Sequence, residues 1–144
     1  MGELNALLYG AVKNDATYQT LTGGTAADPR IYKQRTPVEL PVSDTKPAYS
    51  VYYESGTIDP GLRVDDVGRN DAVYMLECYA TTDVLLSQVT SRLERLFDYQ
   101  RFETTSYYVG HTRAHCGGMS FDDGRQLYFQ TVTVFMKLVR AKSA

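Results

Sequence analysis

There is no tryptophan in the chain, there are only two cysteines, and no apolar run approaches the roughly 20 residues that a bilayer-spanning helix needs. Cys78 and Cys116 are too few and too unpatterned for a disulfide framework, so both are read as free thiols, Cys78 as a small core residue within a strand. Residues 1–15 lack the basic start and cleavage site of a secretory signal, which points to synthesis in the cytoplasm. Charge of neither sign dominates: a net charge of -2 and a pI near 5.6 supply no global attraction to nucleic acid or to an anionic membrane. Missing too are a GxSxG elbow, a P-loop lysine pattern, an HExxH pair and any CxxC. An enzymatic reading therefore has no positive support, and no cofactor is implied.

What is present is the composition of one folded domain. With 144 residues the chain can build one core and is short for two, and 43% hydrophobic with 22% charged residues argues against disorder and coiled coil. Tyrosine is unusually common, at 12. Rings that are apolar in body and polar at the tip suit half-buried sheet faces and subunit contacts, and they also fill strands by propensity alone; both readings stand.

Periodicity organises the chain around residues 72–99. A predicted strand over 72–80 puts Tyr74, Leu76 and Cys78 on one face and Val73, Met75, Glu77 and Tyr79 on the other. Asp83 then stands where an N-cap belongs, and Leu86, Val89, Leu93, Leu96 and Phe97 make the dry stripe of an amphipathic helix. Residues 3–14, with Leu4, Leu7, Leu8, Ala11 and Val12 on one side, predict a second such helix. Between 15 and 43, Gly23-Gly24, Asp28-Pro29, Pro37 and Pro41 break the pattern, leaving a long connection with room for one short extended piece at 30–33. Residues 49–54 alternate as a strand covered on both faces, and 55–70 read as an exposed loop or a twisted hairpin extension. Later, 102–109 and 111–116 are strand-like around Gly110, Gly117-Gly118 marks a turn, and Asp122-Asp123-Gly124 opens a hairpin into the longest strand, 126–139. The surplus of that strand is expected to bend across the sheet or to pair with another subunit. Lys137, Arg140 and Lys142 then form a small positive cluster, read as a solvated tail.

The predicted fold is a two-layer α+β domain, a mainly antiparallel four-stranded sheet with two amphipathic helices packed on one face. Such a body leaves the second sheet face, with its apolar and aromatic residues, open to water and available for association. His111, His115 and Cys116 are the only metal-like grouping, but on a strand positions i and i+4 lie more than about 12 Å apart, beyond the reach of one ion. They are read as surface or interface residues. Asp65-Asp66 and Asp122-Asp123 are adjacent acids without an acid–base partner, read as turn formers and surface charge.

In its order of features the chain resembles the tail terminator or tail completion proteins of long-tailed double-stranded DNA bacteriophages and gene transfer agents. The features are an N-terminal helix with Leu4-Asn5-Ala6-Leu7-Leu8-Tyr9, Arg30-Ile31-Tyr32 in a proline-marked connection with Leu40-Pro41, and an extended Tyr49-Ser50-Val51-Tyr52-Tyr53. A strand entering an amphipathic helix through 80–96 and an Asp-Gly turn before a long final strand complete them. The connection over 37–47 departs from that pattern in being longer and richer in proline. The resemblance implies a structural virion protein whose copies form a ring, commonly of six, that ends the tail tube and joins it to the neck of the capsid. It implies as partners sister copies, the tail tube protein, a head-closure or neck protein, and genomic DNA passing through the lumen without specific binding, with no membrane involved.

A closed ring needs heterologous contacts, one patch against a different patch on the next copy. The residues expected to supply them are Arg63, Asp65, Asp66 and Arg69 in the 55–70 loop, with Tyr128, Phe135, Lys137 and Arg140 on the last strand. Two alternatives remain at this level: another neck component, such as a head-closure or adaptor protein, and a small-molecule-binding or enzymatic α+β domain whose tyrosine-rich sheet face lines a pocket.

Overall fold

Alternating apolar and polar side chains from Leu127 onward build the strand on which the fold hangs, β8 (Leu127–Ala141). The computed structural model describes residues 2–33, 42–58, 71–104, 107–110 and 112–141, and of 2, 3, 55–58, 71, 107 and 138–141 it describes the backbone alone. Along one edge β8 pairs antiparallel with β3 (Asp71–Ala80), from Ala80 opposite Tyr128 to Asp71 opposite Lys137. Along its other edge lie three short strands in succession: β7 (Ser120–Asp122), β6 (Arg113–Cys116) and β5 (Tyr107–Val109). β4 (Phe102–Glu103) closes a small hairpin on β5. Beyond β3 the sheet continues through β2 (Ala48–Ile58) to β1 (Ile31–Lys33), and among the described strands the β1–β2 pair alone is parallel.

The sheet is thus mainly antiparallel, as expected, but among the described residues it has eight strands rather than four. One edge of the last strand's surplus is taken up within the chain. Val109 faces Leu138 and Tyr107 faces Ala141 across a bulge, so the strand's end is paired by its own chain. Arg140 accordingly sits within β8, opposite Tyr108, rather than in a solvated tail.

Among the described residues three helices, not two, cover one face of the sheet. The third stands inside the stretch 15–43, where the sequence predicts an unstructured connection. In α1 (Gly2–Lys13), Leu4, Leu8 and Val12 are fully buried at helical spacing. α2 (Ala16–Thr22) is too short for an apolar stripe to announce it, yet its ends are well specified. Asp15 caps it, accepting the Tyr18 N–H at 2.9 Å, and Gly23 ends it in the left-handed region at φ 76°. A Cβ at Gly23 would collide with the Thr45 carbonyl, so close approach as well as conformation demands glycine there.

α3 (Asp83–Phe97) lies over β8, β6 and β3. Its buried side is the expected stripe of Leu86, Val89, Leu93 and Phe97, with Thr90 between and Leu96 half-buried. The cap is one residue earlier than expected. Thr82 has the extended backbone of an N-cap and its hydroxyl accepts the Leu85 N–H at 3.2 Å, while Asp83 is the first helical residue, an acid at the positive end of the helix dipole. At the other end Asp98 turns the chain: its carboxylate accepts from the Ala114 N–H and from Arg113 Nε, both at 3.0 Å, and the Thr112 hydroxyl donates to the Phe97 carbonyl.

The core on the helical side joins the stripes of α1 and α3 to Tyr74, Leu76, Cys78, Val132, Val134 and Met136 of the sheet. Tyr18 of α2 reaches into it with its hydroxyl 2.6 Å from the Arg30 carbonyl, to which it donates, and 2.9 Å from Ser50 Oγ. Helices α2 and α3 are tied together by Arg92, whose guanidinium donates to both carboxylate oxygens of Asp15 at 2.9 and 2.6 Å. One carboxylate therefore caps one helix and anchors it to another.

Arg92, bonding that carboxylate, holds Asp15 below its ordinary range against the opposing cost of burial. Because the folded-state value is lowered, the stabilisation is present above about pH 4 and is lost as the pH falls through the folded value. Asp15→Ala, which removes cap and ion pair together, should cost about 1 kcal/mol or more in urea unfolding at pH 7. Asp15→Asn, which keeps a capping side chain, should cost less. Both differences from wild type should shrink as the carboxylate is protonated, and equal stability of all three proteins at pH 7 would contradict this role.

Candidate functional site

The second face of the sheet, expected to be bare, is divided. At the end near the start of β8, aromatic rings run across the strands: Tyr49 of β2 pairs in register with Tyr79 of β3, and Tyr79 with Phe129 of β8. Tyr49 and Tyr79 stack with centroids 5.0 Å apart, Phe129 follows at 6.0 Å, and Tyr32 of β1 meets Tyr49 edge-on at 6.4 Å. Two guanidinium groups lie over the row, that of Arg125 at 4.6 Å from the Tyr79 ring and that of Arg30 at 5.7 Å from Tyr49, and Val42 packs beside them. Tyr49, Val51, Tyr79 and Leu127 are consequently buried. Rings and guanidinium groups fill the space that a tyrosine-lined pocket would occupy, so this end serves as a second small core.

Farther along the same face the cover is thinner. Tyr53 pairs with Met75, Met75 with Thr133, and Val73 with Phe135, while β6 adds His115 opposite Thr133 and Arg113 opposite Phe135. Phe135 and Lys137 are exposed, and Val73 and Met75 are half-buried. Of the residues expected to make contacts, the structure therefore brings Phe135 and Lys137 to one exposed area. Tyr128 lies at the opposite end of β8, half-buried, with the Phe121 ring edge-on at 4.9 Å. Arg140 is described only as a backbone position in β8. Arg63, Asp65, Asp66 and Arg69 lie outside the described residues, as does His111.

Sequence reasoning missed Tyr99 and Arg113. Tyr99 is a non-glycine residue with φ 58°, held there as its N–H donates to the Thr112 carbonyl at 2.7 Å. Its ring is exposed and carries the Arg113 guanidinium 4.2 Å from its centroid. The only signal in the sequence is an aromatic residue just beyond an amphipathic helix, which is no signal by itself.

His115 and Cys116 are neighbours on β6 and project to opposite faces, His115 exposed and Cys116 under α3 with its thiol 3.7 Å from the Thr90 carbonyl. Among the described residues no group of three His, Cys, Asp or Glu side chains converges as a metal site would require. An open cleft of about 480 Å³ lies between α2 and α3, lined by Thr17, Leu21, Gln88, Ser91, Arg92 and Arg95. It offers hydroxyls, an amide and two cations, one of them already bound to Asp15, but no histidine, thiol or carboxylate to act as base or nucleophile. Among the described residues no helix is long and apolar enough to cross a membrane.

With the geometry in place, the chain was compared with known proteins. No protein-family model matches it, and no curated protein matches it either. Among solved structures it superposes on a chain of the virion of a native gene transfer agent particle with a TM-score of 0.73 over 95% of each chain, at 11% identity. The fold is shared with a virion chain. A second solved structure superposes with a TM-score of 0.61 at 14% identity, covering 96% of this chain and 98% of the other. At such identities what is shared with the virion chain is the fold.

Burial pushes both thiols up to about 12, so neither holds appreciable thiolate at neutral pH. Iodoacetamide at pH 8 should label the native protein slowly at both cysteines and rapidly once urea unfolds it. Prompt labelling of Cys116 in the native protein would show that α3 does not cover it as described.

Proposed function

We propose that this chain is a structural protein of a phage or gene transfer agent particle, and that within it copies of the chain form a ring ending the tail tube and joining it to the neck. The observation that carries the reading is the two-way superposition on the virion chain, over 95% of each. It is supported by the order of helix, proline-marked connection, strand, amphipathic helix and long closing strand that marks tail terminators. It is supported also by the chemistry: the cleft between α2 and α3 brings no acid–base pair together, and the tyrosine row is packed against itself. In this reading the protein is not an enzyme, and its partners are sister copies, the tail tube protein and a head-closure or neck protein, with DNA passing through the ring without specific recognition. Six copies is the expected number.

The test is imaging of purified particles by electron cryomicroscopy, paired with particles from a producer lacking this gene. A ring of this fold at the capsid end of the tail tube, and heads and tails left unjoined in its absence, is the expected outcome. The fold located in the connector next to the capsid would assign it instead to head closure or adaptation, and particles containing no copy of the chain would overturn the proposal.

A further inference from the structure

Five large apolar side chains are exposed among the described residues: Val84, Tyr99, Met119, Phe121 and Phe135. They fall into two groups at opposite ends of β8, one where the described acids outnumber the bases and one where the bases outnumber the acids. At the start of the strand, Phe121 of β7 packs on Tyr128, Met119 precedes it, and Val84 stands in the first turn of α3, which begins just past Ala80, the residue paired with Tyr128. Around them are the exposed Asp83 and Asp123 and the half-buried Asp122. The one cation of that hairpin, Arg125, is turned onto the Tyr79 ring.

At the far end the pattern reverses. Phe135 lies beside Arg113 on β6, Arg113 covers the Tyr99 ring, and Lys137 and Arg101 are exposed nearby in the chain. Glu103 is exposed at this end as well, and Asp98 is bound by Arg113. Tyrosine, arginine and phenylalanine together are the composition of an interface anchor. The Tyr99 ring is exposed with the Arg113 guanidinium already stacked over it, and side chains held by such a contact lose less freedom on binding. The two ends are about 23 Å apart along the strand, taking β8 from residue 128 to 135 at about 3.3 Å per residue.

We propose that these two ends are the halves of one heterologous contact, the aromatic and basic end of one copy seating on the acidic and apolar end of the next. The occupant of each patch is thus a second copy of this chain. Like ends brought together would oppose like charge, so neither patch suits a two-fold contact with itself, whereas unlike ends are complementary in both charge and apolar surface. A contact of this kind repeats head to tail and closes into a ring when the rotation permits. The inference rests on the ring reading above and deepens it by naming the surfaces.

The experiment is sedimentation velocity of the full chain up to several hundred micromolar, with circular dichroism melting to verify folding, on wild type, Asp123→Lys, Lys137→Glu and the double variant. Both positions are exposed and lie outside the core. Wild type should associate, less tightly at high salt, and each single variant should associate roughly tenfold or more weakly. The double variant, and an equimolar mixture of the two single variants, should regain association, because each restores unlike charge at the contact. Single variants that associate as tightly as wild type, or a mixture that fails to recover, would overturn this contact while leaving a ring built through other surfaces possible. A wild type that stays monomeric throughout would also overturn it, and the ring itself would then stand or fall on the particle images. A closed two-copy particle held through one end would contradict both.

Discussion

Everything in this fold is held in place by the pairing of β8 along both of its edges. One edge carries β3 in continuous register, and through β3 the rest of the sheet out to β1; the other carries β7, β6 and β5 one after another. A strand of 15 residues is well beyond the usual five or six, and both of its edges are paired within the described sheet, one by the single long strand β3 and the other by three short strands in succession. The even positions Val132, Val134 and Met136 are buried under the helices, while Phe129 and Phe135 face the other way. A slip of one residue would exchange those faces, so the register of β8 sets the core and the exposed aromatic surface together.

The helical layer depends on that register at a few specific points. Thr90 of α3 bonds Gln130 of β8 at 3.0 Å, and Cys116 of β6 donates to the Thr90 carbonyl, so a single helical turn is fastened to two neighbouring strands. Asp98 does the same at the end of the helix with Arg113 and the Ala114 N–H. Burying three large leucine or aromatic side chains of α3 supplies several kcal/mol of drive, on the order of 1.5 to 3 for each. The polar fastenings give that drive one solution.

Periodic elements were legible in the sequence and cap-defined ones were not. The stripe of α3 and the two-sided pattern of β3 could be read because each repeats for several turns or pairs, and the Asp-Gly hairpin because its turn chemistry is specific. α2 could not be read, since in seven residues its buried side chains include Tyr18, Gln19 and Thr22, two of them polar, and its identity lies in an Asp cap and a Gly stop. The strand-like stretches 102–109 and 111–116 hold β4, β5 and β6, and the extended piece at 30–33 holds β1, whereas β7, three residues long, takes its partner from β8 rather than from a pattern of its own. The bare second face was misjudged because Arg30 and Arg125, which look like surface charge in a sequence, lie flat on tyrosines. Of the residues expected at contacts, Phe135 and Lys137 lie exposed on one sheet face and Tyr128 half-buried on the other, whereas Tyr99 depends on a backbone conformation that no pattern announces.

A rigid β8 gives the two exposed ends of the molecule a fixed separation, which the head-to-tail contact proposed above requires. Amide hydrogen exchange on the full chain tests this rigidity most directly. Amides of β8 between residues 128 and 137, with their partners in β3, should be the slowest in the protein and should exchange only when the whole chain unfolds. Exchange of the β8 amides ahead of those in β2 or α3, through a local opening, would contradict the account.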